Sequence, residues 1–542
     1  MDAHFRPEAE PPPDSRRDLA LGLVALAMGL APALAVIAAV PEFTTQDGPA
    51  HLYSARIINA SLRPGSPFAG TFSIAWQPLP NWAGHWATMA AVATLPPLVA
   101  NRAVAALTLV TLAAAVVWLR RAVAGDRGLW VAALLAALLA LNVTWLLGFT
   151  SFLLGAALMP VTLGVWWGGR EWFGPGRALA VAALLVLGYA CHPIGLGMTV
   201  GGLLILAAWT PCLDRGRRAA WTAASLIPMV PLGLVYRSLT RSGGGLEPAW
   251  QYLGRPWSAR AWVAQLGWVD PISLAGKAYQ PFGAEWWVGN GLASPAIWTV
   301  AAVGLLVVVT RRRGGNRRGW AILAGLLLAG GLVGPDTLGE RHGHYLPQRV
   351  ALLGLVALVP WLDLAADRRA RKLAGAMLAL ALAVQSAFVW DYARDCRDRV
   401  GALLEARPAI APGTRVGTLL VGIKGRFRSN PLLHADCLLG AADDDVVWSN
   451  YETSHYYFPV KVRPGLGQPP AIAFEKVALL DGPGEDEARA RLWQGLLDDH
   501  AGTIDVVLEW GSDPRLDAIT AARYVASARV GPARVWSRAG PP

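Results

Sequence analysis

The chain has 542 residues, of which 54% are hydrophobic and only 16% are charged, and its mean hydropathy is +0.38. A soluble protein of this length carries about 25% charged residues. The apolar residues also form long blocks instead of recurring at helix or strand spacing, which indicates that lipid is the solvent. The composition excludes an ordinary soluble globular protein and indicates an integral membrane protein.

The net charge of +11 does not predict nucleic-acid binding, because the basic residues stand in short runs at the ends of apolar blocks. These runs are Arg16–Arg17, Arg120–Arg121, Arg215 with Arg217–Arg218, Arg311–Arg313 with Arg317–Arg318, and Arg368 to Lys372. Basic flanks of this kind anchor membrane spans and mark their cytoplasmic ends. We therefore expect a membrane partner and no nucleic acid.

The first apolar block, Leu19 to Val40, follows a leader at residues 1–18 that contains Arg16 and Arg17. Its length of about 22 residues exceeds the apolar region of a secretory signal peptide. We expect a retained first span and a cytoplasmic N-terminus.

Ten further apolar segments follow in chain order: 98–119, 129–147, 150–168, 178–191, 194–210, 219–237, 295–310, 319–334, 348–363 and 373–390. The residues 129–168 and 178–210 each have arginines at both ends, which predicts two hairpins rather than two long helices. The hairpin tips are expected near Leu147-Gly148 and His192-Pro193. Residues 82–97 are expected to lie at the membrane interface. The predicted fold is mainly α, a polytopic bundle of about eleven spans.

This arrangement places the long polar stretches 41–97, 238–294, 335–347 and 391–542 outside the cell and every basic cluster inside. Residues 45 and 480 are predicted to face the outside, and residues 215 and 315 the cytoplasm. We expect a multi-pass protein of the inner (plasma) membrane.

The sequence becomes polar after Trp390. Strand-like runs at Arg415–Val421, Ile504–Glu509 and Ala533–Trp536 alternate with a helical stretch near Glu485–Leu497. This alternation predicts a soluble, extracytoplasmic α/β domain at 391–542, after a transmembrane domain at 19–390.

Four cysteines occur in the chain, and only Cys396 and Cys437 lie outside apolar segments. The predicted topology places both in an oxidising compartment, so we predict a disulfide between them.

The first outer loop contains Asp47-Gly-Pro-Ala-His51-Leu52 and then Gln77-Pro-Leu-Pro-Asn81-Trp82. These segments resemble the first-loop motif of the GT-C glycosyltransferases, in particular the bacterial aminoarabinose- and mannosyl-transferase type. The resemblance implies a polytopic enzyme that moves a hexose or pentose from a polyprenyl-phosphate carrier to a lipid or glycan acceptor of the cell envelope, on the extracytoplasmic face.

The resemblance also implies roles for residues. The predicted catalytic residues are Asp47, which would accept the proton of the acceptor hydroxyl, and His51, which would share its helix face and orient it. The loop Glu340-Arg-His-Gly-His-Tyr345-Leu-Pro-Gln-Arg349 resembles the charged, tyrosine-containing loop before a late span, in an altered order. The predicted substrate-binding residues are Lys277, Glu340, Arg341, His344, Tyr345 and Arg349, whose cations would bind the leaving phosphate.

Simpler interpretations stay open for these residues. Asp47 has the sequence context of a solvated loop acid or a helix N-cap, and residues 340–349 that of a solvated loop. Trp and Tyr residues of the loop 238–294 suit lipid headgroups better than sugar stacking.

A metal site also stays open. Asp47, His51, His342 and His344 offer possible ligands, and some GT-C relatives use a divalent ion while others do not. The first loop lacks a paired-carboxylate motif, so no metal ligand is assigned.

Two other functions compete with sugar transfer. A polysaccharide polymerase or ligase also uses polyprenyl-linked donors, but its large loop usually lies between late spans. A transporter or flippase often has internal repeats and ionisable residues inside its spans. This chain has no evident repeat, and most of its charges flank the apolar blocks.

Overall fold

The computed structural model describes residues 13–211, 214–239, 247–248, 259–276, 294–311, 317–339, 343–364, 367–482 and 484–539. Three predicted substrate-binding residues, Lys277, Glu340 and Arg341, lie outside the described residues, as does most of the second outer loop.

The first half of the chain is almost entirely helical. Its elements are α1 (Pro13–Ala39), α2 (Gly48–Ser61), β1 (Phe72–Ile74), α3 (Trp82–Thr94), α4 (Pro97–Ala124), α5 (Leu129–Ala140), α6 (Val143–Leu146), α7 (Thr150–Gly168), α8 (Pro175–Cys191), α9 (Pro193–Trp209), α10 (Arg215–Leu226) and α11 (Met229–Leu239). Proline stands in the first turn of α2, α4, α8 and α9, where its missing N–H costs no intrahelical hydrogen bond.

The middle of the chain continues with β2 (Glu247–Pro248), α12 (Ala259–Val269), α13 (Pro295–Arg311), α14 (Arg318–Val333), β3 (Pro335–Thr337), α15 (Leu346–Leu358) and α16 (Arg368–Asp395). β2 and β3 pair antiparallel across the second outer loop and the loop before α15.

Every predicted apolar segment falls on a helix, and both predicted hairpin breaks are confirmed. Residues 129–168 divide into α5, α6 and α7, and residues 178–210 divide at His192. Within the described residues, four helices are long and apolar enough to cross a membrane, α10 and α11 form a bent pair, and six apolar helices are shorter. The structure shows a mainly helical protein with several apolar helices.

The C-terminal part begins with a π-helix at Cys396–Val400 and continues with α17 (Gly401–Glu405) and a 3₁₀ turn at Arg407–Ala409. It then contains β4 (Arg415–Leu420), α18 (Cys437–Asp443), β5 (Val446–Val447), a 3₁₀ turn at Tyr451–Ser454, β6 (Val460–Val462), α19 (Ala471–Leu479), α20 (Asp486–His500), a 3₁₀ turn at Ala501–Thr503, β7 (Val506–Trp510), α21 (Pro514–Ala521), β8 (Tyr524–Val530) and β9 (Ala533–Arg538). The three predicted strands and the predicted helix near 485–497 are confirmed.

Five of these strands form a mixed sheet in the order β5-β4-β7-β9-β8. β4 is parallel to β5 and β7, while β9 is antiparallel to β7 and β8. All five residues of β7 are buried, as expected for a central strand covered on both faces. α19, which carries Glu475, packs on β4.

The first outer loop and the C-terminal domain share one hydrophobic core. β1 pairs antiparallel with β6 from Phe72↔Val462 to Ile74↔Val460. The Tyr53 hydroxyl donates to the Asp445 carbonyl at 2.7 Å and accepts from the Val447 N–H at 3.1 Å. The membrane helices form a separate core. The loop that carries the Asp47 motif is therefore fixed by residues about four hundred positions later in the chain.

The helical bundle has two distinct ends. The junction end, where the bundle meets the first loop and the C-terminal domain, contains the chain segments at 43–48, 146–150, 192 and 345–349. The basic end carries Arg120, Arg170, Arg218, Arg317 and Arg371, which bond backbone carbonyls at nearby helix ends and loops. All strongly basic flanks that the structure describes in α4, α7, α14 and α16 thus gather opposite the Asp47 loop.

The predicted disulfide is wrong in this structure, because Cys396 and Cys437 are both free thiols. Cys396 lies in the helical core with its Sγ 3.6 Å from the Thr44 carbonyl. Cys437 starts α18 and is buried in the core shared by the loop and the C-terminal domain. Two cysteines in one compartment need not be close, and these belong to different cores.

Candidate active site at the junction

The Asp47 segment is held against the α6–α7 hairpin tip. The Gln46 N–H donates to the Leu146 carbonyl at 3.1 Å, and the Asp47 N–H donates to the Leu147 carbonyl at 3.0 Å. Gly148 has φ of +84°, and a Cβ there would lie 2.6 Å from the Thr45 Oγ1 and 3.0 Å from the Asp47 nitrogen. Only glycine fits this close approach without displacing the loop.

The Asp47 carboxylate is neither exposed to solvent nor used to cap its own helix. Its residue is 6% exposed, and although it occupies the N-cap position of α2, its carboxylate makes no capping hydrogen bond. Instead, the Tyr451 hydroxyl donates to Oδ2 at 3.2 Å, and the His434 Nε2 lies 3.6 Å from Oδ1. The carboxylate is aimed at the C-terminal domain rather than at its own helix.

Burial raises the pKa of Asp47 from 3.8 to about 6, against the opposing effects of His51 and of the Tyr451 hydrogen bond. A carboxylate with a pKa near 6 is mostly ionised at neutral pH and is more basic than an ordinary aspartate. This combination suits a group that has to accept a proton.

His51, one turn after Asp47, contacts the C-terminal domain directly. Its Nδ1 forms a hydrogen bond with the Glu452 Oε1, and its Nε2 lies 3.0 Å from the Gly148 carbonyl. His85 of α3 lies on the other side of Glu452, with Nε2 3.7 Å from Oε2. The first loop and the C-terminal domain therefore meet in a buried group of two imidazoles and one carboxylate.

The electrostatics of this group favour a charged Glu452 and His51. Burial alone lowers the pKa of His51, but the charge and hydrogen bond of Glu452 outweigh it, and the pKa ends above 6.5. Burial opposes the charge on Glu452 as well, yet His85 and His51 hold its pKa below the usual range. Burial lowers the pKa of His85 to about 4, so this imidazole is neutral at pH 7.

Arg349, in the first turn of α15, is a buried cation with an unusual environment. One terminal nitrogen lies 3.1 Å from the His192 Nε2, and the guanidinium carbon lies 4.2 Å from the Phe149 ring centroid and 5.2 Å from that of Phe152. Its Nε has no hydrogen-bond partner. Among the residues that the structure describes, no carboxylate forms an ion pair with Arg349, although its charge interacts with Asp47.

Tyr345 stands directly before α15 in a left-handed conformation, with φ of +58°. Its ring stacks on Trp268 at 5.9 Å between centroids and meets Phe149 edge-on at 5.8 Å. A non-glycine residue in this region is strained, and such strain is concentrated at functional sites. Burial raises the pKa of the Tyr345 phenol, and the charges of Arg428, Asp47 and Arg349 act on it as well.

Two further ionisable groups of the C-terminal domain face the junction. Burial raises the pKa of Glu475 to about 7, and the charge of Asp47 adds to the effect. Arg428 donates to the Asp270 carbonyl and to the Trp268 carbonyl at 3.0 Å, and so fixes the second outer loop beside Tyr345. Two carboxyl groups with raised pKa values at one site are typical of a catalytic centre.

No protein-family model matches this sequence, and no curated protein matches it. The structure is similar to that of ArnT from Cupriavidus metallidurans, solved in complex with undecaprenyl phosphate and in the apo state. Both comparisons give a TM-score of 0.51 and 13% identity, and cover 97% of this chain and 99% of ArnT. The chain has the fold of the GT-C glycosyltransferases.

A weaker likeness links the chain to the arabinofuranosyltransferase AftD from Mycobacteria, with a TM-score of 0.49 and 15% identity. That match covers 95% of this chain but 40% of AftD.

Within this GT-C fold, the structure brings four predicted site residues together: Asp47, His51, Tyr345 and Arg349. His344 is exposed on the loop before α15. Sequence reasoning missed several residues that surround Asp47: His85, His434, Tyr451, Glu452, Tyr457 and Glu475. The polar, aromatic run at Trp448–Phe458 was the signal for Tyr451, Glu452 and Tyr457, and it is equally typical of a domain core. No sequence pattern marked His85, His434 or Glu475.

Proposed function

We propose that this chain is an integral-membrane glycosyltransferase that moves a sugar from a polyprenyl-phosphate carrier to a cell-envelope acceptor on the extracytoplasmic face. The GT-C fold supports this kind of activity. The observation that carries the proposal is the environment of Arg349, a buried cation beside Asp47 that has no carboxylate partner among the described residues.

A buried cation without a counterion is costly, so its environment calls for an anion that binds there. A lipid phosphate supplies that charge. Arg349 offers donors to it, the phenols of Tyr345 and Tyr457 lie within range of the same guanidinium, and the Phe149 and Phe152 rings exclude water.

The reaction breaks the bond between the sugar C1 and the carrier phosphate while the acceptor oxygen bonds to C1. Asp47 accepts the proton that the acceptor hydroxyl loses, and Tyr451 orients the carboxylate through Oδ2. Arg349 stabilises the negative charge that develops on the departing phosphate. Glu475 is a second carboxyl group whose pKa responds to Asp47, and burial together with the charge of Asp47 favours its neutral, hydrogen-bond-donating form.

The orientation in the membrane follows from the two ends of the bundle. We place the junction end outside and the basic end in the cytoplasm, because basic flanks mark cytoplasmic ends. Cysteine accessibility in intact cells tests this with Ala69→Cys in the first loop and Arg215→Cys, both at exposed positions. Labelling of the first and protection of the second is expected; the reverse pattern would place the site in the cytoplasm.

Turnover of defined donors tests the function. Purified chain in lipid vesicles that contain an envelope lipid extract is supplied with undecaprenyl phosphates carrying single hexoses or pentoses. Mass spectrometry then follows the release of undecaprenyl phosphate and the appearance of glycosylated lipid. We expect turnover of at least one donor by the wild-type chain and its loss in Asp47→Asn.

Two results would contradict the proposal. Donor that crosses the vesicle membrane unchanged, equally well in Asp47→Asn, would indicate a flippase. Products with chains of many sugars would indicate a polymerase.

A further inference from the structure

Three potential metal ligands converge where the first loop meets the C-terminal domain. They are His51 on α2, His85 on α3 and Glu452 in the 3₁₀ turn at Tyr451–Ser454. One donor atom from each lies within 4.8 Å of the other two. All three side chains are almost completely enclosed, with 11%, 2% and 0% exposure.

The hydrogen bonds of His51 require a positive charge beside Glu452. The Gly148 carbonyl can only accept, so the Nε2 that faces it carries a hydrogen. The ring's other nitrogen, Nδ1, faces the Glu452 carboxylate, which also only accepts when ionised. The contact is balanced either by a second proton on His51 or by a metal ion that both groups bind. A backbone carbonyl that fixes the tautomer is the usual support of a metal-binding histidine.

The rest of the group is incompletely satisfied. The second oxygen of Glu452, Oε2, is buried without a hydrogen-bond partner, and so is the Nδ1 of His85. The Nε2 of His85 lies 3.7 Å from that oxygen, too far for a hydrogen bond but suitable for two atoms that share an ion. A buried, unpaired carboxylate oxygen requires an explanation, and a bound cation provides one.

We propose that His51, His85 and Glu452 bind one divalent ion of the zinc type. Two imidazoles and one carboxylate suit Zn²⁺, which takes three protein ligands and leaves a position open at many sites. Mg²⁺ and Ca²⁺ prefer oxygen ligands throughout and fit this set poorly. Asp47 is not part of the set; its carboxylate is engaged by Tyr451 and faces His434.

The ion would tie the C-terminal domain to both helices of the first loop. Glu452 is the neighbour of Tyr451, whose hydroxyl holds Asp47, so a bound ion fixes the position of that hydroxyl. The binding of the ion is independent of the proposed sugar transfer, because its measurement needs neither donor nor acceptor.

Metal content of the full-length chain tests the site. Tag-free protein in detergent is stripped with a chelator and dialysed against equal concentrations of Zn²⁺, Mg²⁺ and Ca²⁺, and the retained metals are counted by mass spectrometry. We expect about one zinc per chain, without retained magnesium or calcium. X-ray absorption of the zinc-loaded protein should show two imidazole ligands and no sulfur. Zinc that is not retained, or sulfur in the ligand set, would overturn the proposal.

Matched variants assign the ligands. Glu452→Gln and His85→Gln should each weaken zinc binding by at least about tenfold and abolish the rise in melting temperature that zinc causes in the wild type. His434→Gln replaces a neighbouring buried imidazole that is not one of the three ligands. This variant should keep both the zinc affinity and the rise in melting temperature. Undiminished zinc in Glu452→Gln and His85→Gln would refute the assignment. If Glu452→Gln does not fold, His85→Gln and the absorption spectrum of the wild type decide.

Discussion

The buried arginines at the two ends of the helical bundle have different hydrogen-bond partners. At the basic end, Arg120 donates to the Gly125 and Arg127 carbonyls, and Arg218 donates to the Ala207 and Thr210 carbonyls. At the junction end, Arg349 lies over two phenylalanine rings and bonds an imidazole. Each of these three arginines leaves one nitrogen without a partner, so the kind of partner is what distinguishes them.

This difference distinguishes arginines that stabilise the fold from an arginine that is available to bind an anion. Carbonyls at helix C-termini carry partial negative charge, so the arginines at the basic end are neutralised within the fold and stabilise it. The Arg349 guanidinium forms no ion pair with the described residues, although the charge of Asp47 acts on it. A fold that keeps a buried cation without an ion-pair partner has given up stability there, which is expected where a substrate supplies the partner.

The largest contrast is expected between two aspartates, one at each end. Asp47→Asn should lower sugar transfer by about 10²–10⁴-fold, because the amide keeps the shape but cannot take a proton. Asp363→Asn, at the basic end, removes a partner of Arg120 and should leave transfer within a few-fold of wild type. Rates in vesicles at matched expression check this. Equal losses in both variants would mean that the Asp47 effect is structural.

The arginines give the second contrast. Arg349→Gln should weaken undecaprenyl phosphate binding by about 10–100-fold, since a hydrogen bond to a charged group contributes about 1.5–3 kcal/mol. Arg371→Gln removes a bond to the Leu364 carbonyl at the basic end and should bind the lipid normally. Titration of each purified variant with the lipid measures both. Normal lipid binding by Arg349→Gln would show that Arg349 does not bind the phosphate, and the proposed function would lose its main support.

A pair of glycines sharpens the comparison further. Gly148 and Gly125 both have positive φ values, +84° and +75°, so alanine is strained at both by about 1–3 kcal/mol. A Cβ at Gly148 also meets Thr45 and the Asp47 nitrogen, whereas a Cβ at Gly125 meets nothing within 4 Å. Gly148→Ala should therefore lower transfer by at least about tenfold, and Gly125→Ala should lower only the melting temperature. Similar rates for the two variants would show that the Asp47 loop tolerates displacement.

Glu475 gives the smallest expected effect, a pH-dependent stability. Burial raises its pKa in the folded chain from the usual 4.5 to about 7, so its contribution to stability is complete below pH 4.5 and is lost as the pH rises through 7. Glu475→Gln should thus be more stable than wild type at pH 8, by at most about 3 kcal/mol, and not at pH 4.5. Glu171→Gln, at an exposed position of the basic end, is the control. Melting curves of wild type and of the two variants at pH 4.5 and pH 8 test this prediction.

Much of the bundle could be predicted from sequence, because long apolar runs between basic flanks are local signals. The breaks at Gly148 and His192 were predictable for the same reason, since glycine and proline interrupt helices without tertiary help. The strands β4, β7 and β9 were visible as short β-rich runs. The number of membrane crossings remains a prediction, because six of the apolar helices are shorter than a full span.

The composition of the site was only half predictable. Asp47 and Arg349 stand in recognisable motifs, but Glu452 reaches His51 across 401 positions of sequence, and nothing local marks that contact. The disulfide prediction failed for the same reason, because compartment and polarity carry no distance between Cys396 and Cys437.

The most direct test of the central claim is a structure of the full-length chain with bound undecaprenyl phosphate. The account predicts the phosphate within hydrogen-bond distance of the Arg349 guanidinium, with Asp47 facing the space where the sugar C1 would lie. A phosphate bound at the basic end, or on the outer surface away from Arg349, would contradict it.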